Sequence, residues 1–382
     1  MIPLAVPNVT GNESRYLQEC IETGFVSSVG PFVTRLEEMV SRATGAGYST
    51  ATASGTTGLH VALIAVGVGR DDLVILPTFT FIGSANAIAH AGASPWLLDI
   101  NRDGWTLDVA KLSRALQRET HREKRGLIHS KTGRRVGAIM PVHVLGVPAD
   151  MDAICELARQ YQLPVVADAA CAIGARYKDR PIGSTGADLS VFSFNGNKTV
   201  TSGGGGMVCG EDEALVKKVH HLSTTAKAGA DYDFDEVGFN YRMTNLQAAV
   251  GCAQMERLDE FVTAKRRIQK RYNDALSELP GVSPFPEPEF AESSCWLAGV
   301  ILDPKEATAP IEQIQDALRE AGIMARPFWK PIHLQRPYAG SPLESTEVAD
   351  SIWRHILTLP CSTSLAEEDL EQVIKVVRGL LS

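Results

Sequence analysis

The stretch SGTTGLHVALIAVGVGRDDLVILP, Ser54–Pro77, contains the repeating unit from which the fold can be read. Ser54 stands as an N-cap ahead of an apolar run, which reads as a helix. Leu73–Pro77 (LVILP) is a short, continuous apolar run bounded by polar residues, the pattern of a strand buried on both faces. Outward from this unit the alternation recurs. Strands are expected at Ser94–Ile100, Val136–Val144, Pro164–Ala170 and Asp188–Phe194, with Gly205–Cys209 paired to the last. Helices are expected at Asp108–Leu116 and over 149–162. Apolar strands separated by helices imply an α/β fold with a mostly parallel sheet covered on both faces. Beyond Met243 the period becomes helical, and one long helix, Asn245–Leu276, is expected to bridge two domains. The tail, with strands at Cys295–Leu302 and Ile323–Arg326 and helices near 311–321, 346–356 and 365–381, suits a smaller α+β domain. At roughly 100–200 residues per domain, the 382 residues divide into a large domain over 1–250 and a small one over 251–382.

Composition excludes several classes. With 44% hydrophobic and 21% charged residues the chain is an ordinary globular one. Its net charge, 37 − 45 = −8, has the wrong sign for a protein whose main partner is a nucleic acid or an anionic membrane. Met1–Gly11 carries no basic residue and no long apolar run, so no secretory leader is expected. Leu73–Leu98 lacks Asp, Glu, Lys and Arg, but Pro77, Asn86, His90 and Pro95 break it as a membrane span. The seven cysteines are scattered and never form a CxxC pair, which points to a reducing cytoplasm and to no metal site. Eight Lys/Arg between Arg114 and Arg135 read as a solvated excursion.

In an open parallel sheet, ligands bind at the carboxyl ends of the strands, so polar residues there are the ones to question. Ser54-Gly55-Thr56-Thr57-Gly58 opens a helix, where free N–H groups and hydroxyls can hold a phosphate; simple N-capping by Ser54 is the plainer alternative. Asp168 ends an apolar strand, where a carboxylate needs a cationic partner, either a protonated ring nitrogen or magnesium. Lys198 follows Ser193-Phe194-Asn195-Gly196-Asn197 in small surroundings, where a lysine can lose its proton and attack a carbonyl. Phe79 and Phe81 can stack on a planar ring or belong to the core. Together these describe a site for pyridoxal phosphate: anion cradle, ring cover, acid and lysine.

In order and spacing the motifs FVSSVGPFV (Phe25–Val33), SGTTGLHVAL, PTFTFIGSANAI, PVHVLG, VVADAACAIGA, SFNGNKTVTSGGGG, GFNYRMTNLQAAVG and RPFWKPIH (Arg326–His333) resemble the sugar aminotransferases of the DegT/DnrJ/EryC1/StrS type, almost end to end. The resemblance implies the type I fold of pyridoxal-phosphate transferases, resembling aspartate aminotransferase, with the cofactor in the large domain. It implies that Lys198 forms the Schiff base and then moves the proton, and that Asp168 pairs with the pyridine nitrogen. Phe81 would stack on the ring, and Gly55, Thr56, Thr57 and Ser193 would bind the phosphate. Asn240 or Arg242 would reach the cofactor or substrate of a neighbouring subunit, making a homodimer with shared sites. Cys171 departs from the pattern, standing where the family most often has a glutamine on the ring hydroxyl, and a thiol is a weaker donor. Ala167, where an acid is common, departs as well. His143 is expected to be structural rather than the catalytic base, since Lys198 fills that role.

Within the family the chain looks most like the branch acting in legionaminic-acid and related surface-glycan pathways. The implied reaction moves an amino group from L-glutamate to C4 of UDP-2-acetamido-2,6-dideoxy-4-hexulose. Lys227, Arg242, Arg326 and Lys330 would meet the diphosphate, Trp329 and His333 the sugar or base, and Ser27 and Ser28 the hexose. Three competing readings are weaker. A dehydratase of this fold generally has histidine at position 198, a nicotinamide enzyme needs a glycine fingerprint that is absent, and a non-catalytic sugar-nucleotide sensor would not need Lys198 and Asp168.

Overall fold

The computed structural model describes residues 1–381 apart from 230, 304 and 307–309. Its centre is a sheet of strands β1 (Tyr48–Thr52), β2 (Leu73–Pro77), β3 (Ser94–Leu98), β4 (Val136–Ile139), β5 (Val166–Asp168), β6 (Leu189–Ser193) and β7 (Gly206–Gly210). Two ladders, β3-β2-β4 and β5-β6-β7-β1, join where β4 and the segment after it run parallel to β5, Asp168 N–H donating to Pro141 O at 2.8 Å and His143 N–H to Asp168 O at 3.0 Å. β7 alone runs against the direction of the other strands, pairing antiparallel with β1 and with β6, the expected partner of Gly205–Cys209. Along β2 every residue is buried, and the side chains alternate: Leu73 and Ile75 enter the core on one face, Val74 and Leu76 the core on the other. A period of two with both phases apolar is why LVILP must lie inside the sheet.

A second sheet, antiparallel throughout, consists of β8 (Val282–Pro284), β9 (Ala298–Leu302), β10 (Arg326–Pro327) and β11 (Ile356–Leu359), in the order β8-β9-β11-β10. The start of the chain is stitched to this part of the molecule. Ile2 N–H donates to Gly322 O, Met324 N–H to Ile2 O, and Cys361 N–H to Leu4 O. Among the described residues no helix is long and apolar enough to cross a membrane.

The long helix expected over Asn245–Leu276 is two, Asn245–Met255 and Leu258–Leu276. Arg257 leaves helical geometry at φ −116°, ψ 14°, while the Glu256 carboxylate is held by Asn12, by Tyr16 Oη at 2.5 Å and by Arg35. The first piece carries no charge and is almost wholly buried beneath the helices Glu13–Thr23 and Pro31–Thr44; only the second is amphipathic. The helix expected over 346–356 stops at Ile352, and Ile356 begins β11. The middle of the basic run forms a hairpin, Thr120–Glu123 with Gly126–His129, whose first strand is largely exposed while Leu127, Ile128 and His129 of the second are buried. Its last two arginines are structural: Arg135 pairs with Asp72, and Arg134 donates to the carbonyls of Asp71 and Asp72.

Asn245 pins the loop before the second helix. Its backbone N–H donates to Ser27 O at 2.6 Å, Nδ2 to Phe25 O at 2.8 Å, and Oδ1 accepts from Phe32 N–H at 2.9 Å. A Cβ on Gly30 would strike the Asn245 carboxamide at 2.3 Å, so the loop can close only on glycine. Asn245→Ala leaves the buried Phe32 N–H unpaired and frees the part-buried Phe25 O, and an unpaired buried group costs about 1–3 kcal/mol. Chemical denaturation should show a loss in that range, and limited proteolysis should open the chain between residues 24 and 30.

Candidate active site

The carboxyl ends of β4, β5 and β6, the start of the helix Gly55–Ala65 and the second sheet enclose a cavity of about 620 Å³. Asp168, the last residue of β5, forms part of its wall and is only 6% exposed. Ser84 Oγ donates to Oδ2 at 2.6 Å and Ala170 N–H to Oδ1 at 3.0 Å. Burial pushes the acid's pKa up, against those two hydrogen bonds and the Lys198 charge, which favour the ionised form. A cation placed against this carboxylate would remove the cost of its burial.

Lys198 follows β6 through a turn in which its N–H donates to Asn195 O at 3.0 Å. Its Nζ lies 3.2 Å from Cys171 Sγ and 3.9 Å from the ring centroid of Trp296. Trp296, two residues before β9, is fixed by a 2.7 Å hydrogen bond from Nε1 to Asn197 O. The amine therefore sits on the cavity wall between the two sheets, not in open solvent. Burial raises the pKa of the Cys171 thiol, and the neighbouring Lys198 charge opposes this.

Ser54 caps the helix at the far end of the cavity, accepting from Thr57 N–H at 3.1 Å. The first turn holds no acid, and the hydroxyls of Thr56 and Ser193 line the cavity without a protein partner among the described residues. A Cβ on Gly55 would lie 2.9 Å from Ser193 Cβ, and one on Gly206 would lie 2.7 Å from Gly55 N, so the helix start approaches β6 and β7 as only glycines allow. Unpartnered hydroxyls at an uncharged helix N-terminus make a cradle suited to a phosphate. Phe81, 56% exposed, stands at the mouth with its ring 6.1 Å from that of Trp329. Carboxylate, amine, cradle and aromatic wall thus fit pyridoxal phosphate.

The DegT/DnrJ/EryC1/StrS aminotransferase family matches residues 7–378. The chain belongs to that family. It is 38% identical over 382 residues to the GDP-perosamine synthase of Caulobacter vibrioides, covering 100% of this chain and 98% of that one. It is 33% identical to the GDP-perosamine synthase of Escherichia coli O157:H7, covering 100% and 99%. The crystal structure of the aminotransferase TlmJ from Streptoalloteichus hindustanus superposes with a TM-score of 0.88 at 28% identity, covering 100% and 99%. This DegT/DnrJ/EryC1/StrS enzyme is accordingly a pyridoxal-phosphate-dependent sugar aminotransferase with the type I fold.

Not every expected site residue meets the cavity of this aminotransferase. Thr57 does not line it, because its hydroxyl closes the capping box at Ser54. His333 is a structural pin, with Nδ1 2.7 Å from Thr78 Oγ1 and Nε2 3.0 Å from Asp350. Lys330 is exposed and off the wall. Ser27 and Ser28 lie in the loop held by Asn245, and Lys227 turns its Nζ over the Tyr232 ring at 4.6 Å. Asn240 pairs with Thr224 on the outer surface, and Arg242 lies near Glu37 and His220. None of these five lines the cavity within one chain. Arg326 and Trp329 do, and among the described residues the only Lys or Arg on the wall besides Lys198 is Arg326. Residues the motifs did not single out complete the site. Ser84 lies one helical turn after Phe81, a spacing that could have exposed it. Trp296 and Pro3–Val6 come from distant sequence and left no local signal.

Proposed function

We propose that this aminotransferase moves an amino group from L-glutamate to C4 of a nucleotide-linked 4-keto-6-deoxyhexose for surface-glycan synthesis in the cytoplasm. The observation that carries the reading is the placement of Lys198 and Asp168 on one cavity, with a phosphate cradle at Thr56 and Ser193. Pyridoxal phosphate, when bound, supplies the electron sink and carries the amino group. Lys198 Nζ takes the proton from the amino-bearing carbon of the donor and returns it on the acceptor side. Asp168, oriented by Ser84 and Ala170, holds a proton on the pyridine nitrogen. Thr56, Ser193 and the helix start bind the phosphate, Phe81 covers the ring and Trp296 shields the amine from water. Arg326 is the cation for an anionic group of the incoming substrate.

Two long relatives named GDP-perosamine synthase favour a GDP-linked acceptor over the UDP-linked one expected from the sequence. The positions of Asn240, Arg242, Ser27, Ser28 and Lys227 away from the cavity suit a homodimer in which these residues serve the partner's site. Purified protein with pyridoxal phosphate should show a visible absorption band that glutamate abolishes. With glutamate, a GDP-linked 4-keto-6-deoxyhexose should be aminated with a kcat/KM at least about tenfold above that of the UDP-linked acetamido sugar, a selectivity within reach of differential contacts. Protein that never binds the cofactor would overturn the reading, and a reversed preference would restore the UDP-linked acceptor.

A further inference from the structure

Thr80 and Ser84 stand where the chain leaves β2 and enters the helix Ile82–His90, and nothing above gives Thr80 a part in the site. Each of the two is only 1% exposed. Side chains of a helix lean toward its N-terminus, so Ser84, in the first turn, points back to the segment that carries Thr80. The two hydroxyl oxygens lie 2.8 Å apart, and Ser84 Oγ lies 2.6 Å from Asp168 Oδ2. Among the described residues the Thr80 hydroxyl has no other partner. Burying two hydroxyls costs desolvation that apolar groups of the same shape would avoid, so their place calls for a reason beyond packing.

The direction of the hydrogen bonds supplies one. A hydroxyl has a single proton to give. Facing an ionised Asp168, Ser84 donates that proton to the carboxylate, so its contact with Thr80 must use the Thr80 proton, with the Ser84 oxygen accepting. Donation thus runs from Thr80 through Ser84 to Asp168. A hydroxyl that receives a hydrogen bond is polarised by it and gives a stronger one, and in a buried site water does not compete. Burial acts against the charge on Asp168, while Ser84, Ala170 N–H and the Lys198 charge act for it. We propose that Thr80 and Ser84 form a directional hydroxyl relay that keeps Asp168 a carboxylate, which makes both of them positioning residues for amino transfer. Thr80 acts only through Ser84. The proposal rests on the part given to Asp168 under Proposed function, where the negative charge tunes the cofactor ring by holding a proton on its nitrogen.

The test compares Ser84→Ala, which removes the donor to the acid, with Thr80→Val, which keeps that donor and the bulk but removes the hydroxyl behind it. The titratable groups on the elements packed around Asp168 are Lys198, Cys171 and His143, and every variant retains them. In apoprotein labelled with ¹³C at the aspartate carboxyls, the Asp168 signal is the one missing from Asp168→Asn. Its titration midpoint should rise by about one to two pH units in Ser84→Ala, the size of a hydrogen bond to a charged group. In Thr80→Val it should rise by about 0.2–0.5 units, the cooperative share of that bond. Thr80→Ser, which restores the hydroxyl, should return the midpoint to that of wild type. In holoenzyme kcat should fall about tenfold in Ser84→Ala and about twofold in Thr80→Val, with KM for glutamate within twofold of wild type. Thr80→Ala replaces Thr80→Val should the latter not fold. An unmoved midpoint in Ser84→Ala, a Thr80→Val protein indistinguishable from wild type, or a loss that falls on KM alone overturns the proposal. Shifted midpoints in protein that never binds pyridoxal phosphate overturn instead the reading on which it rests.

Discussion

Lys198→Ala should lower kcat/KM for amino transfer by at least roughly 10³-fold, near the upper range for removing a positioned acid–base, and leave the fold intact. The side chain makes one hydrogen bond, to Cys171 Sγ, and lies over Trp296. Losing a partly exposed cation–π contact costs only about 0.5–1 kcal/mol, so thermal unfolding of the apoprotein should move by a few degrees at most. The rate should respond quite differently, because no other base stands in the right place. Cys171 is a buried thiol with a raised pKa, the His143 imidazole is fully buried with Nδ1 taken by Ala149 N–H, and Asp168 is tied to Ser84 and Ala170. The variant should still hold pyridoxal phosphate through the cradle at Thr56 and Ser193. Adding a small primary amine should restore part of the rate in proportion to its concentration, since the missing group is a proton carrier of about that size. Activity within tenfold of wild type, measured with glutamate and the preferred keto sugar, would remove Lys198 from the chemistry.

How much of this was legible in the sequence depends on whether a signal was local. LVILP at Leu73–Pro77, the capped helix after Ser54 and the pairing of β6 with β7 are written in adjacent residues, and the structure has each where the pattern puts it. The helices Glu13–Thr23 and Pro31–Thr44 went unread, although Gly24 and Gly45 end them in left-handed geometry and Pro31 stands at the first turn of the second. The break at Arg257 was not legible, because it follows from three residues more than two hundred positions away gripping Glu256. In the site, the same distinction holds. Asp168 ends β5 and Lys198 stands in the turn after β6, where topology alone brings side chains to one edge. His333 sits in an aromatic, basic motif that suggests a ligand, but Thr78 and Asp350 claim both of its nitrogens, and only tertiary structure shows that. Trp296 is brought over Lys198 by the second sheet from ninety-eight residues on, with no local mark of its place.

Asp168→Asn should lower kcat by about 10²- to 10³-fold while cofactor affinity and stability change far less. The amide can keep the local hydrogen bonds. Its Oδ1 accepts from Ala170 N–H, and its Nδ2 donates to Ser84 Oγ, which in turn can donate to Thr80 Oγ1, its neighbour at 2.8 Å. Nothing is left unpaired, and the buried charge, whose cost shows in the raised pKa of the acid, is gone. Apoprotein stability should therefore hold or rise slightly. What the amide cannot do is keep a proton on the pyridine nitrogen. If the loss of the negative charge weakens that proton's hold by two pH units, the transition state loses about 2.7 kcal/mol, at 1.36 kcal/mol per unit, which is a hundredfold in rate. The effect falls on the step that needs the electron sink and not on binding, so KM for glutamate should stay within a few-fold of wild type. A variant with a large rise in KM and an unchanged kcat would mean that Asp168 holds the substrate or the fold, and that the charge at the end of β5 is not what drives proton removal.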